Sequence, residues 1–408
     1  MTVTEENRHS RAHTDGVLLA LVFLMSLFGV VAVCVATYSP ESSSDTSFLN
    51  HIVESSYAMR QCLFLLIAPL VVGVIMAFPY DILRRRAEWF HWGSFALLVI
   101  TTVFNGAQGV KAWMDIIWGY TIQPSEFAKL AMILILAKNL SKYERPLADL
   151  RSFTRVFLMV MIPGFVILLQ GETGSLLVII FLFAVMMYFA NVSMKTLGIL
   201  FAIATVLILS LYGFMMATGS TDYRLARIAG WLNPELYSSS DAYQQTMSKM
   251  TIGSGGISGI GMFQDGAIAQ LNYVPADWTD FIYATIGETW GLIGCVGVLV
   301  GYILIILRML YLAWFTRDKF GRLIIIGVMG MLLFHVLENI AMTLGLMPIT
   351  GIPLPFLSYG GSNMMTNIGG IGLVLNVTRN RSLSLSVSTP QTMHNPYRIS
   401  RQFRTRPY

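Results

Sequence analysis

Charged residues are scarce in this chain, and that scarcity excludes most soluble folds. Only 12% of the 408 residues are Asp, Glu, Lys or Arg, whereas 55% are hydrophobic. A soluble domain carries about 25% charged residues, and disordered, collagen-like and coiled-coil chains also differ from this composition. Cysteine is rare too, since the three cysteines all lie in apolar runs, which excludes a disulfide-stapled secreted scaffold. A polytopic helical membrane protein remains.

Long apolar runs are what the chain has in abundance. Because a spanning helix needs about 20 mostly apolar residues, we predict an all-α, polytopic membrane protein with about ten transmembrane helices. The predicted spans are 17–39, 61–79, 90–105, 122–138, 154–170, 174–190, 195–217, 281–307, 321–345 and 361–378. The first run is too long for a signal peptide and lacks its cleavage site, so we expect it to be retained.

The basic residues predict the orientation. With these spans, most of the 27 Lys and Arg residues fall on the side that holds both termini. The positive-inside rule therefore predicts that both termini are cytoplasmic. Residues 1–16 then form a cytoplasmic tail, 17–378 the transmembrane domain and 379–408 a basic cytoplasmic tail. A long extracellular loop, 218–280, connects spans seven and eight.

Ionisable side chains inside predicted spans are candidates for function, since each costs about 2.5–3.5 kcal/mol on insertion scales. Glu126 and Lys129 are three residues apart and share one helical face. They are read either as a self-neutralising ion pair or as the polar floor of a substrate site. His335, Glu338 and Asn339 share a face of span nine, where an interhelical hydrogen-bond network is more typical than a metal or proton site.

Asp280 lies where the long loop enters span eight. The position suits a helix N-cap, which Asp fills well. It also suits a general base at the membrane–water boundary, where partial desolvation raises a carboxylate pKa. The pattern alone leaves both readings open.

Two segments rich in glycine or proline flank this position along the chain. Residues 345–362 cannot form a continuous helix, so they line an outer cavity or form a tight outer loop. The glycine-rich segment 253–261 is weak evidence for phosphate binding, because it has no P-loop context. Better candidates to hold a phosphate group are Lys111, Arg224, Arg227 and Lys249, although each also suits a solvated loop charge.

Several motifs occur in the order found in a known family. They are Gly109-Val110-Lys111-Ala112-Trp113, Gln123-Pro124-Ser125-Glu126-Phe127-Ala128-Lys129, Gln170-Gly171-Glu172-Thr173-Gly174, Arg227-Ile228 with Asn233-Pro234 and Tyr243-Gln244, Ile252-Gly253-Ser254-Gly255-Gly256, Thr279-Asp280-Phe281-Ile282 with Glu288, and the stretch from Pro353 to Ser362. Over nearly its whole length the sequence resembles the SEDS family, the RodA/FtsW/SpoVE group. It departs from the family pattern at Ala112, at Gly171 and Glu172, and at Ala276 and Asp277.

This resemblance implies a peptidoglycan glycosyltransferase that polymerises lipid II at the outer face of a bacterial plasma membrane, during elongation or division. The family's essential aspartate falls on Asp280, which implies a general base rather than a cap. The transfer would invert the anomeric carbon and release a lipid pyrophosphate. A class B penicillin-binding protein is the expected transpeptidase partner, beside lipid II and membrane lipids; no nucleic acid is expected.

The site prediction combines the motifs with the residue chemistry. Asp280 is the predicted catalytic residue. The predicted substrate-binding residues are Lys111, Trp113, Glu126, Lys129, Arg227, Gln244, Lys249, Glu288, Ser358 and Tyr359. Mg²⁺ or Mn²⁺ is a candidate bridge between phosphate oxygens, and no organic cofactor is expected.

Two other functions remain as alternatives. A flippase or transporter of lipid-linked precursor would use buried charges and broken helices for alternating access. A non-catalytic scaffold for the penicillin-binding protein would not need an intact Asp280. A flippase needs charge along a path through the bilayer, whereas a polymerase needs it clustered at the outer face.

Overall fold

The structure is a computed structural model, and it is mostly helical. It describes residues 14–38, 55–104, 112–115, 121–142, 150–199, 202, 206, 210, 223–232, 240–264, 266–269, 271 and 273–387. The helices are α1 (Gly16–Ala36), α2 (Ser56–Ala77), α3 (Tyr80–Phe104), α4 (Pro124–Leu140), α5 (Leu150–Leu169), α6 (Thr173–Phe189), α7 (Tyr223–Leu232), α8 (Ser240–Ser254), α9 (Ile282–Trp314), α10 (Lys319–Thr343) and α11 (Gly361–Val387). Five of them, α1, α2, α5, α9 and α10, are long and apolar enough to cross a membrane. The chain is therefore built as a multi-pass helical membrane protein.

Nine of the predicted spans coincide with described helices. Their ends differ where a helix continues into polar residues, which a hydropathy pattern does not detect. Helix α3 begins at Tyr80 rather than at residue 90, because Arg84, Arg85 and Arg86 extend the helix without adding apolar character. Helix α11 continues to Val387, into the segment assigned to the C-terminal tail. In the predicted span 195–217, residues 195–199 are helical, and most of the remaining residues lie outside the described part of the chain.

A two-stranded antiparallel pair precedes α4 and was not predicted. Strand β1 (Met114–Asp115) pairs with β2 (Thr121–Ile122), and Met114 lies opposite Ile122. Strands of two residues are too short to produce a period-two pattern in the sequence. The prediction of an all-α chain therefore missed this element.

Helix α10 forms the centre of the bundle. It packs against α4, α6, α8, α9 and α11, and most of its residues are buried. The outer helices instead present large apolar side chains at their surfaces; Leu66 of α2 is one example. Polar side chains on α10 are consequently enclosed by protein.

Helix α9 is broken at Gly291, which has a φ of 65°. In an unbroken helix the Leu292 and Ile293 amides would donate to the carbonyls of Glu288 and Thr289. The segment 255–261, here named the glycine run, supplies partners to these groups instead. The four bonds are Ile260 N to Glu288 O (2.9 Å), Gly261 N to Thr289 O (3.1 Å), Leu292 N to Gly256 O (2.9 Å) and Ile293 N to Ile257 O (3.2 Å).

Glycine is required where these two backbones meet. A Cβ at Gly255 would lie 2.0 Å from the carbonyl oxygen of Gly287. A Cβ at Gly259, where φ is +81°, would lie 2.2 Å from the carbonyl oxygen of Thr289. The glycines of the run therefore serve close packing against α9, and the phosphate-binding reading finds no support in their contacts.

Candidate functional site

A polar cavity of about 330 Å³ lies where several helices begin. Its lining includes the starts of α4, α6, α9 and α11, together with α7 and the segment 345–360. The lining residues are Trp113, Gln123, Glu126, Lys129, Gly171, Glu172, Gly174, Ser175, Arg227, Thr279, Asp280, Thr350, Gly351, Ile352, Pro353, Tyr359, Gly360, Ser362 and Asn363. Four helix N-termini at one cavity give it a positive dipole field that favours anions.

Asp280 lies in the cavity wall, directly before α9. The cap position of α9 is Phe281, which makes no side-chain capping bond, and the Asp280 carboxylate makes no hydrogen bond to the described residues. The capping reading is therefore wrong. Burial raises the pKa of Asp280 to about 6, and the positive charge of Arg227 opposes this rise. A carboxylate of this kind is ionised at neutral pH and can still accept a proton.

The backbone that carries Asp280 is fixed from α10. The buried Asn339 donates from Nδ2 to the carbonyl oxygen of Asp280 at 2.7 Å and to that of Ile352 at 2.7 Å. One amide thus ties the backbone of Asp280 to the segment 345–360. A Cβ at Gly351, whose φ is +74°, would lie 3.3 Å from Asp280 Oδ2, so a side chain there would crowd the carboxylate.

Arg227 brings a cation from α7 to the same cavity. Its guanidinium donates to the carbonyl oxygen of Ile349 at 3.3 Å. Trp231, one turn further along α7, donates to the carbonyl oxygen of Gly345 at 3.0 Å. Both contacts hold α7 against the segment 345–360, which places the guanidinium at the cavity wall.

Lys129 supplies a second cation, at the buried floor of the cavity. Its Nζ donates to Glu126 Oε1 at 2.8 Å and contacts His335 Nε2 at 3.0 Å. Lys129 is 1% exposed and Glu126 is 3% exposed. The pair is both an internal ion pair and a cavity-lining group, so the two readings of Glu126 and Lys129 describe the same arrangement.

Glu172 and Gln123 are cavity residues that the sequence analysis did not assign to the site. Glu172 lies at the turn between α5 and α6 and accepts a hydrogen bond from the Gln123 side chain. Burial raises the pKa of Glu172 above its usual value. The signal that could have found both was present, since each residue falls within a quoted family motif.

The segment 345–360 forms one side of the cavity through Thr350, Gly351 and Tyr359. Ser358 donates from Oγ to the carbonyl oxygen of Thr279 at 2.5 Å and accepts from the amide of Leu354 at 2.8 Å. The predicted site residue Ser358 thus bonds the segment to Thr279, just before the start of α9, and does not line the cavity itself. The sequence left two interpretations of this segment, a cavity lining or a tight loop, and its position fits the cavity lining.

Other predicted residues lie away from the cavity. Gln244 and Lys249 are on α8 and are not among the lining residues. Glu288 accepts from Ser254 Oγ at 3.2 Å and from the amides of Ile268 and Ala269 at 2.8 and 3.0 Å, so its carboxylate holds the loop against α9. Their substrate-binding roles stay predictions. Lys111 lies outside the described residues.

The cavity carboxylates do not form a protein cage for a divalent ion. Glu126 is paired with Lys129, and Glu172 is bonded to Gln123. Among the described residues no group of three His, Cys, Asp or Glu side chains could hold a metal ion. Mg²⁺ is commonly held by one or two carboxylates together with substrate phosphates, so a Mg²⁺ or Mn²⁺ that bridges phosphate oxygens stays a prediction.

Comparison with known proteins places the chain among relatives of similar length. The peptidoglycan glycosyltransferase MrdB of Escherichia coli (strain K12) is 31% identical over 322 residues, which cover 78% of this chain and 85% of that protein. Stage V sporulation protein E of Bacillus subtilis (strain 168) is 30% identical over 370 residues, which cover 90% of this chain and 97% of that protein.

Solved structures show similarity to the same group of proteins. A chain of a peptidoglycan synthase complex that coordinates polymerization and crosslinking is 28% identical, with a TM-score of 0.73, and the match covers 90% of this chain and 98% of that chain. RodA of Thermus thermophilus is 26% identical, with a TM-score of 0.65, and the match covers 90% and 97%. Residues 16–383 match the family described as cell cycle protein, which includes FtsW, RodA and SpoVE. The resemblance to the SEDS proteins is thereby confirmed, and the chain belongs to the FtsW/RodA/SpoVE family.

Proposed function

We propose that this chain is a peptidoglycan glycosyltransferase that polymerises lipid II, with Asp280 as the general base. Curated relatives in the family are named peptidoglycan glycosyltransferases. The observation that carries the proposal is the content of one cavity: a carboxylate with a pKa of about 6, two cations and four helix N-termini. Such a site suits a reaction that removes one proton and releases one polyanion.

Asp280 begins the reaction by accepting the proton of the acceptor sugar hydroxyl. The oxygen then attacks the anomeric carbon of the donor, forming the new C–O bond as the bond to the lipid pyrophosphate breaks. An α-linked donor gives a β-linked product by this single displacement. The pKa near 6 leaves Asp280 ionised at pH 7 and close enough to the working pH for efficient proton transfer.

The cations and helix N-termini stabilise the leaving group. A pyrophosphate leaves as an anion, so it needs positive charge in place before the bond breaks rather than a proton donor. Arg227 and Lys129 both line the cavity that contains Asp280. The helix N-termini near the cavity add a positive dipole field, which favours an anion such as phosphate.

The membrane topology that we propose has ten spans, cytoplasmic termini and an outer loop at 218–280. The directions of the described helices support it, because α4, α6, α9 and α11 all begin at the cavity. The starts of α1, α3 and α10 meet at the other end, where Arg308 pairs with Asp15 at 2.6 Å and Arg84 with Asp318 at 2.7 Å. In this topology the cavity opens at the outer face of the bacterial plasma membrane.

A class B penicillin-binding protein is the partner that we propose. Glycan strands need crosslinking after they are polymerised, and the solved complex to which this chain is similar coordinates polymerization with crosslinking. The proposed reaction at the outer face would deliver its product to the side where such a transpeptidase works.

A flippase is less well supported than a polymerase. Below Lys129, the side chains of α4 that follow on the same face are apolar and buried, among them Met132, Ile133 and Leu136. On this face of α4 the charged side chains thus end at Lys129, and apolar side chains follow it. A path for a charged headgroup through the bilayer would need polar groups along its length.

Asp280→Asn tests the assignment of the base. We expect polymerisation of purified lipid II to fall by about 10²- to 10⁴-fold, the usual contribution of a general base, while the thermal unfolding midpoint in detergent stays near that of the wild type. Asp277→Asn is the matched control, because Asp277 is buried three residues away and does not line the cavity. Near-normal polymer from Asp280→Asn would refute the mechanism.

A further inference from the structure

Three buried side chains on α10 lie directly behind the cavity. His335, Glu338 and Asn339 are at most 1% exposed, and none of them lines the cavity. Each bonds to a group that does. His335 contacts Lys129, Glu338 accepts from the hydroxyl of Thr350, and Asn339 donates to the backbone of Asp280.

The contacts of His335 define its tautomer. Its Nδ1 lies 2.6 Å from the carbonyl oxygen of Met331, which can only accept, so the ring proton is on Nδ1. Nε2 is then an acceptor, and it lies 3.0 Å from Nζ of Lys129. A neutral imidazole held in this way receives a hydrogen bond from the ammonium.

Lys129 therefore has two of its three N–H donors fixed inside the bundle. Glu126 receives one at 2.8 Å and His335 receives another. His335 lies behind the ammonium, whereas Glu126 lines the cavity beside it. The third N–H is left for a group inside the cavity, because an ammonium has three donors and no acceptor.

We infer that His335 is a positioning residue for Lys129: it holds the ammonium so that one N–H faces the cavity and binds a pyrophosphate oxygen of the donor. The inference rests on the proposed function for the identity of that anion. His335 does not touch substrate itself. It acts by supplying the second buried acceptor, without which the flexible lysine chain would turn its ammonium towards Glu126 alone.

The test measures pyrophosphate binding without requiring turnover. The full-length protein is purified in detergent, and the rise in its unfolding midpoint is measured against inorganic pyrophosphate concentration. His335→Gln keeps an acceptor near Nε2, whereas His335→Leu removes it. His91→Leu is the matched control, because His91 is also buried in a helix, at 1% exposed, and is not a cavity residue.

The wild type, His335→Gln and His91→Leu should all be stabilised by pyrophosphate at similar concentrations. His335→Leu should need roughly 10- to 100-fold more, the range for a hydrogen bond to a charged group. In a Lys129→Met background, His335→Leu should cause no further loss, since the residue acts through the ammonium. An additive loss in that background would show a general structural role and overturn the inference.

Failure of this inference is distinguishable from failure of the proposed function. A wild type that binds pyrophosphate but does not polymerise lipid II contradicts the glycosyltransferase and leaves His335 supported. Equal binding by His335→Leu and the wild type overturns the His335 role, whatever the polymerase result. If His335→Leu does not fold, His335→Asn replaces it, because its amide is too short to reach Lys129.

Discussion

Two irregular segments contact α9, and glycine has a different role in each. The glycine run 255–261 packs backbone against backbone at the break around Gly291. The segment 345–360 meets the start of the same helix and lines the cavity with Thr350, Gly351 and Tyr359. The first segment fixes the shape of the helix, and the second places side chains and backbone beside Asp280.

The difference shows in what an added methyl group would touch. At Gly255 it would meet the main chain of α9, whereas at Gly351 it would meet the carboxylate of Asp280. Main chain cannot move away without losing its hydrogen bonds, but a side chain can turn. Glycine-rich sequence alone does not separate these cases, and the following variants do.

Gly255→Ala should have the largest effect, and it should act on stability. The new Cβ would lie 2.0 Å from the carbonyl oxygen of Gly287, so the run must leave α9, and we expect a destabilisation of more than about 4 kcal/mol. Gly253→Ala is the control, because nothing lies within 4 Å of its Cβ position. Unfolding in detergent measures both. Equal midpoints for the two variants would contradict the packing role of the run.

Gly351→Ala should lower activity more than stability. Its Cβ would stand 3.3 Å from Asp280 Oδ2, where the acceptor hydroxyl must bind, and we expect a loss of about tenfold in kcat/KM, the effect of about 1.4 kcal/mol. Gly345→Ala is matched in backbone strain, since φ is +79° there, but its Cβ would face the Lys249 side chain. Lipid II polymerisation should fall for the first variant and stay near the wild-type rate for the second.

Arg227→Gln should change the pH dependence, which is the smallest of the three effects. Asp280 acts as a base only when it is deprotonated, so kcat/KM should fall as the pH drops below about 6. Arg227 lowers that pKa, and its removal should move the acid limb to higher pH. Lys249→Gln removes an equal charge outside the cavity and should leave the limb in place. An acid limb that moves to lower pH in Arg227→Gln would exclude the proposed coupling.

The sequence predicted the helices well because apolar length is a local property. Asp280, Arg227, Lys129 and Glu126 come from motifs far apart in the chain, and the structure places all four in the lining of one cavity. Their roles stay predictions. Asp280 was selected by the order of the motifs, since its pattern by itself fitted a helix cap. The free-energy cost of an ionisable side chain inside a predicted span was enough to single out Glu126 and Lys129.

The rest depends on packing between distant segments. The bonds that replace those of α9 around Gly291 are made by main chain, which carries no residue-specific signal. The partners of His335 and Asn339 lie on other elements, so a shared helical face indicated a network without naming its members. Glu172 was visible in a motif, but only the fold brings its turn beside Gln123.

The break in α9 makes one helix into two mechanical parts. The short part runs from Ile282 to Trp290 and the long part begins at Leu292, and the glycine run is bonded through main chain to both of them. The run therefore acts as a splint that holds the two parts at one angle. A tilt of the long part would reach Asp280 through this splint as well as through Gly291, which couples the carboxylate to the rest of the bundle by two routes.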